Sequence, residues 1–300
     1  MTAVDQPLAP RHVSRELLSA MRPAQWVKNA LVLAAPAAAG VLLHPGTLLR
    51  CLVAVLSVTA TASGCYLVND LRDLPLDRLH PRKRSRPVAS GAVPVRLVRR
   101  AAVVLLALGL GLAVLTGGGT WLVTTTYAVL TLAYAAFLKR LAWLEMGVVA
   151  SGFVLRTLAG ASAARVPASG WFLLVVSGAA VHVVASKRSS ELVETGSRTR
   201  PVLQAYTVPS LRRLRQASAV LLVISYAGWA VVRPTLLAVV LAGASTVPLI
   251  AVLSRWNLQT EDGRTDAPED VLVHDRVVRL GVIAWAVLFT GTVVVVTSTR

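Results

Sequence analysis

Cysteine is nearly absent from this chain of 300 residues; Cys51 and Cys65 are its two. Both fall in one expected helix, so a disulfide framework is not supported. Histidine is almost as sparse, with five. No Cys/His grouping has the spacing of a metal site, and no Ser-His-Asp set stands out. His12, His44 and His274 look incidental, and His182 is expected to pack inside a helix. Acids are scarce too: 14 Asp and Glu face 31 Lys and Arg, for a net charge of +17. In a soluble protein that excess would point to nucleic acid. Long polar domains are also missing. The first 25 residues are polar, carry Pro7, Pro10 and Pro23, and read as a cytosolic lead-in with no cleavable leader evident.

Apolar sequence fills the rest. Hydrophobic residues make up 55% of the chain, and the mean hydropathy is +0.65. Ala101–Phe137, Gly170–Ser186 and Gln216–Val232 contain no Lys, Arg, Asp or Glu. A bilayer core of roughly 30 Å takes about 20 apolar helical residues to cross. Helices satisfy their own backbone polar groups in lipid. The expectation is an all-α, polytopic membrane bundle forming one transmembrane domain over residues 1–300. About nine spans are expected, near 26–43, 50–68, 96–115, 120–138, 142–163, 170–186, 214–232, 235–254 and 277–297. Lys28 and Pro36 make the first the least regular, and Arg156 interrupts the fifth.

The basic residues then sort by side. With the N-terminus inside, 26 of the 31 Lys and Arg fall in inner segments, four in outer ones, and Arg156 within a span. Such asymmetry marks the cytoplasmic side, so topology accounts for the charge and no nucleic-acid partner is expected. The long connections, 69–95, 187–213 and 255–276, all fall on that inner side.

The first of these opens Asn69-Asp70-Leu71-Arg72-Asp73-Leu74-Pro75-Leu76-Asp77. On a helix Asp70 and Asp73 share a face, as do Asn69 and Asp73, or Asp73 and Asp77. Clustered carboxylates repel unless a cation lies among them. Oxygen ligands favour Mg²⁺, which binds through one or two carboxylates plus substrate phosphates. The plainer alternative is that these acids balance the basic run from Arg82 to Arg86. Pro75 should break or kink the helix, which weakens the argument for Asp77. Arg156, mid-span, is costly unless it meets a polar cavity or partner, and it is expected to face a central phosphate-containing cavity. Pairing with Glu145 is unfavourable, because eleven helical residues rise about 16 Å.

Asn-Asp-x-x-Asp-x-x-x-Asp at the inner end of the second span resembles the first aspartate-rich motif of the UbiA superfamily of intramembrane prenyltransferases. In that superfamily the motif holds a diphosphate through Mg²⁺. Further pieces are similar to a phosphoribosyl-transferring branch: Arg22-Pro-x-Gln25-Trp26-x-Lys28-Asn29, His80-Pro81-x-Lys83-x-x-Arg86-Pro87, Tyr134 with Leu138-Lys139, and Leu155-Arg156-x-x-x-Gly160. Lys187-Arg188-x-x-Glu191-Leu192, Tyr206, Pro268-Glu269-Asp270 and Asp275-Arg276 complete the set. Members that alkylate aromatic acceptors usually carry a second aspartate motif after the sixth span. Lys187 and Arg188 stand there instead, which suits a directly bound phosphate.

The resemblance implies transfer of 5-phosphoribose from 5-phosphoribosyl 1-diphosphate (PRPP) to a polyprenyl phosphate such as decaprenyl phosphate. Pyrophosphate would be released, and the product would serve arabinan precursor synthesis for the cell wall. It places Asp70, Asp73 and Asp77 on Mg²⁺ with Asn69 beside them. Lys28, Lys83, Arg86, Lys139, Arg156, Lys187 and Arg188 become phosphate ligands. Tyr134, Glu191 and Tyr206 join them as substrate-binding residues. The location implied is the plasma (inner) membrane with the site facing the cytoplasm, and a homo-oligomer, a trimer in some members, is compatible with it. The rival enzyme reading is a prenyltransferase acting on an aromatic or haem acceptor. The rival outside enzymology is a transporter, which would not need clustered aspartates beside a basic loop at one face.

Overall fold

A computed structural model describes residues 10–81, 83–117, 119–195, 201–265, 271 and 273–299. Among them the regular structure is entirely helical. After α1 (Pro10–Ala20) come a 3₁₀ segment, Pro23–Leu33, and the short α2, Ala34–Ala38. The bundle continues with α3 (Pro45–Leu79), α4 (Val95–Leu115), α5 (Thr120–Ala136), α6 (Leu144–Ala164), α7 (Gly170–Thr195), α8 (Val208–Val231) and α9 (Leu236–Glu261). It closes with α10, Arg276–Ser298.

Seven of these helices are long and apolar enough to cross a membrane: α3, α4 and α6 to α10. The other two expected spans take shorter forms. α5 has 17 residues. The first span is not a regular α-helix. A 3₁₀ helix rises about 2.0 Å per residue against 1.5 Å, so residues 23–38 reach about 30 Å with few residues. Runs of 3₁₀ structure beyond three or four residues are uncommon, and packing holds this one. Gly160 of α6 lies so close that an added Cβ would sit 1.6 Å from the Val32 carbonyl oxygen. Any larger residue would push the 3₁₀ segment off α6.

Two sequence expectations need correcting. α3 does not stop at Pro75 but runs through it to Leu79. A proline inside a helix costs about 3 kcal/mol. Asp70 and Asp77 lie on either side of it, paired with Arg22 and Arg86. The three long connections are also partly helix: α3, α7 and α9 extend to Leu79, Thr195 and Glu261. Charge ends a membrane span without ending a helix. At 35 residues, α3 is about 50 Å long, well beyond the hydrocarbon core.

The helices pack as two groups. α3 lies against α4, α5, α6 and the 3₁₀ segment, and α7 to α10 pack as neighbours, with α6 against α7 as the junction. Long helices thus end in charged turns on one side of the bundle, and those turns carry the site.

Candidate functional site

The aspartate turn of α3 sits in a net of cations. Asp70 Oδ1 accepts from Arg22 Nη2 at 2.5 Å, and Arg86 Nη1 lies 3.5 Å away. The same Arg86 nitrogen donates to Asp77 Oδ2 at 2.7 Å. Asp70 and Asp77 are both buried, with side chains 4% and 5% exposed. Seven residues make nearly two helical turns, so these two carboxylates share one face and one cation. Asp73 points elsewhere: Lys139 Nζ donates to its Oδ1 at 2.5 Å and to Asn69 Oδ1 at 3.4 Å. The concern that Pro75 turns Asp77 away is therefore overturned. The helix persists, and Asp77 stands closer to Asp70's partner than Asp73 does.

Arg22, which the sequence offered only as part of a matching run, joins this net from 48 residues away. Its backbone is left-handed, with φ 60° and ψ 63°. An αL conformation is costly for a non-glycine residue. The guanidinium also lies over the Tyr66 ring, 5.0 Å from its centre. Local sequence carries no signal for so distant a pairing.

A second network lies at the C-terminal end of α7. Arg188 donates from Nε and Nη2 to the two oxygens of Glu145 at 2.6 and 2.8 Å. It also donates from Nη1 to Glu191 at 2.7 Å. Glu145 is fully buried. The Tyr206 hydroxyl donates to Glu145 Oε1 at 3.2 Å and accepts the Trp143 N–H at 3.0 Å. Tyr134 reaches Glu145 Oε2 at 3.4 Å. Burial, aided by the Glu145 carboxylate against the opposing Trp143 N–H bond, pushes the Tyr206 phenol up to about 12. It therefore stays protonated and able to donate. The bidentate fork expected for a phosphate is spent on Glu145, which corrects the reading of Arg188 as a free clamp. One signal was available: Glu145 is the only acid between Asp77 and Glu191, and a lone acid at a span needs a partner.

The two networks meet through residues 134–145, where Lys139 serves the first and Tyr134 and Glu145 the second. Arg156 lies apart. It is buried and donates to Asn29 Oδ1 at 2.9 Å, the Gly152 carbonyl at 2.7 Å and the Tyr127 hydroxyl at 2.8 Å. It also packs over the Tyr127 ring. It ties α5, α6 and the 3₁₀ segment together, with no carboxylate pairing among the described residues. Neither of the two recesses described in the bundle includes it. Lys28 bonds to Gln25, Lys83 donates its N–H to His80, and Lys187 is half-buried beside Arg188. The matching run Pro268-Glu269-Asp270 lies outside the described residues.

Among the described residues, no three His, Cys, Asp or Glu side chains gather as a metal-holding set. A smaller donor set does fit a hard divalent cation. One cationic nitrogen of Arg86 already lies between Asp70 and Asp77, at 3.5 and 2.7 Å. Two carboxylates completed by substrate oxygens are an ordinary Mg²⁺ arrangement.

An integral membrane bundle with an aspartate-bearing helix end facing paired cations defines a class, and the chain belongs to the UbiA prenyltransferase family, whose model matches residues 30–270. Its relatives are more particular. It is 38% identical over 289 residues to a protein of Mycobacterium tuberculosis (strain H37Rv) described as decaprenyl-phosphate phosphoribosyltransferase, covering 94% of this chain and 95% of that one. A Corynebacterium glutamicum protein with the same description is 36% identical over 285 residues, covering 92% and 86%. Among solved structures, a UbiA homolog from Archaeoglobus fulgidus bound to GPP and Mg²⁺ superposes with a TM-score of 0.68 at 18% identity. That match covers 94% of this chain and 99% of the other, and it carries the fold alone.

Proposed function

We propose that the chain transfers 5-phosphoribose from PRPP to a polyprenyl phosphate, releasing pyrophosphate, at the cytoplasmic face of the plasma membrane. Decaprenyl phosphate is the acceptor implied by its relatives, and the product belongs to arabinan precursor synthesis. The observation that carries this reading is the 38% identity to the Mycobacterium tuberculosis protein across nearly the full length of both chains. The inner side is supported by the distribution of Lys and Arg.

The donor's diphosphate binds at the end of α3. Asp70 and Asp77, with Asp73 and Asn69 adjoining, would hold Mg²⁺, which when bound would supply charge neutralisation for a departing diphosphate. Arg22, Arg86 and Lys139 now rest on those carboxylates and lie within reach of incoming phosphates. They orient the donor and balance charge at its leaving oxygens. The acceptor phosphate is already an anion and needs no general base, so positioning is the protein's main task. Lys28, Lys83 and Lys187 add point charges around the site. Glu145 and Arg188 hold Tyr206 and Tyr134 in place, with Glu191 and Tyr206 near the ribose. Arg156 ties the 3₁₀ segment to α5 and α6 through Asn29 and Tyr127, apart from the two networks.

The test is transfer of labelled phosphoribose from PRPP to polyprenyl phosphate by the detergent-purified protein, with and without Mg²⁺. Transfer that stops with chelator and returns with Mg²⁺ is expected. Alkylation of an aromatic acceptor from a prenyl diphosphate, without phosphoribosyl transfer, would replace this reading with the prenyltransferase one. A cysteine introduced at Ser85 should label only from the cytosolic side, against low background from the buried Cys51 and Cys65.

A further inference from the structure

Among the described residues, three other than glycine have a positive φ. Arg22 and Arg165 are left-handed helical, with ψ 63° and 38°. Trp143 differs, at φ 65° and ψ −46°. That is the region of the γ-turn with positive φ, a rare and strained form. The Leu144 N–H closes the turn on the Ala142 carbonyl at 2.8 Å. Glycine would take this backbone without steric cost. A tryptophan there is held by its surroundings, and strain of this kind clusters at functional sites.

The surroundings are the second network. α6 starts at Leu144, so the Trp143 N–H is outside the helix's own bonding, and it donates to the Tyr206 hydroxyl at 3.0 Å. The same hydroxyl donates to Glu145 Oε1 at 3.2 Å. An N–H on the oxygen and a carboxylate on its proton fix how the phenol group is turned. The Trp143 ring stands edge-on to the Tyr206 ring, with 5.1 Å between centres and 83° between planes, a favoured geometry for an aromatic pair. Ala142, at the first corner of the turn, packs against the apolar cluster that contains Tyr206 and Met146. Backbone, ring and neighbour all bear on one side chain. The same short connection carries Lys139 to Asp73, so the turn lies between the two networks along the chain.

The Trp143 side of this pair is 47% exposed and the Tyr206 side 4%. An exposed tryptophan at a helix start also suits an anchor at the bilayer interface, but anchoring requires neither the strained turn nor the bond to Tyr206. We propose that Trp143 is a positioning residue for PRPP, acting through Tyr206, whose hydroxyl its turn and ring edge hold against Glu145. This rests on the placement of Tyr206 near the ribose under the proposed function.

The measurement is equilibrium binding of labelled PRPP with Mg²⁺ to the full-length detergent-purified protein, beside its melting midpoint. Trp143→Gly keeps the turn and its N–H and removes the ring. It should melt at or above wild type, because the backbone strain is relieved, and bind PRPP about tenfold more weakly. Trp143→Phe retains a ring edge and should bind within about twofold of wild type. Tyr206→Phe should lose about tenfold, and adding Trp143→Gly to it should lose little more, since the tryptophan acts through the hydroxyl. Losses that multiply to about a hundredfold in the double variant would mean independent roles and overturn the proposal. Wild-type affinity in Trp143→Gly would overturn it too, and with a lowered melting midpoint would make the residue an anchor. A wild type that does not bind PRPP removes the transferase reading and this inference with it. A wild type that binds PRPP, with Trp143→Gly binding equally, removes the inference alone.

Discussion

The helix ends of α3 and α7 present two charged networks of similar composition and opposite accessibility. At α3, Arg22 and Arg86 remain about a third exposed while pairing with Asp70 and Asp77, and Lys139 is 23% exposed against Asp73. At α7, Arg188 and Glu145 are 4% and 0% exposed and doubly hydrogen-bonded. An ion pair open to water contributes little to stability and exchanges partners readily. A buried pair is costly to break, because either partner alone is left charged in a low dielectric. On the proposed function, the first network suits an exchange of its cations for substrate and metal, and the second the holding of a shape.

The sharpest break of that contrast is at Asp70. Asp70→Asn should reduce phosphoribosyl transfer by about 10²- to 10³-fold or more while the protein elutes and melts nearly as wild type. Asp77→Asn should match it, since both carboxylates share Arg86, and Asp73→Asn should be the milder of the three. The check is transfer rate as a function of Mg²⁺ concentration. Near-normal rates in Asp77→Asn beside inactive Asp73→Asn would reverse the assignment of faces.

At α7 the order of effects should invert. Glu145→Gln leaves the buried guanidinium with Glu191 as its one remaining carboxylate partner and should cost about 3 kcal/mol of stability, read as a lowered melting midpoint in detergent. Glu145→Met with Arg188→Met should recover most of that loss, because replacing both charges by apolar groups of similar size is often neutral. The double variant then tests role directly. If Arg188 only holds shape, KM for PRPP returns close to wild type. A KM that stays raised tenfold or more in the stable double variant would return Arg188 to phosphate binding.

How much of this was readable in sequence depended on the range of the interaction. The membrane class and the aspartate turn rest on composition or on spacings within one or two helical turns. Pairings such as Arg22 with Asp70 or Arg188 with Glu145 join positions 48 and 43 residues apart. No local pattern encodes them, and the spare forks of Arg188 and Arg156 were read as available when neighbouring elements had taken them. The 3₁₀ form of the first span was hidden for the same reason. The segment packs directly against Gly160, a contact that local propensity does not encode. Pro75 was misjudged in the other direction, by trusting a local rule where tertiary ion pairs flank the lost bond.

The smallest expected effect lies far from either network, at Asp275, and it separates shape from chemistry in a third way. This carboxylate caps α10 and accepts from Arg255 and Gln259. Burial would raise its pKa, but the Val278 N–H and the Arg255 and Gln259 donors outweigh it and hold the group below the usual carboxylate range. The folded state thus favours the ionised form. Its stabilisation stands at neutral pH and is lost as pH falls below about 4, through the lowered folded value. Asp275→Ala should cost about 1 kcal/mol, as loss of an N-cap does, and should leave Mg²⁺-dependent transfer at pH 7 within about twofold of wild type. The difference in melting midpoint between the variant and wild type should shrink as the pH is lowered from 5 to 3, because wild type alone surrenders the charged cap. A difference that stays constant over that range would show that the side chain acts by packing and not as a carboxylate.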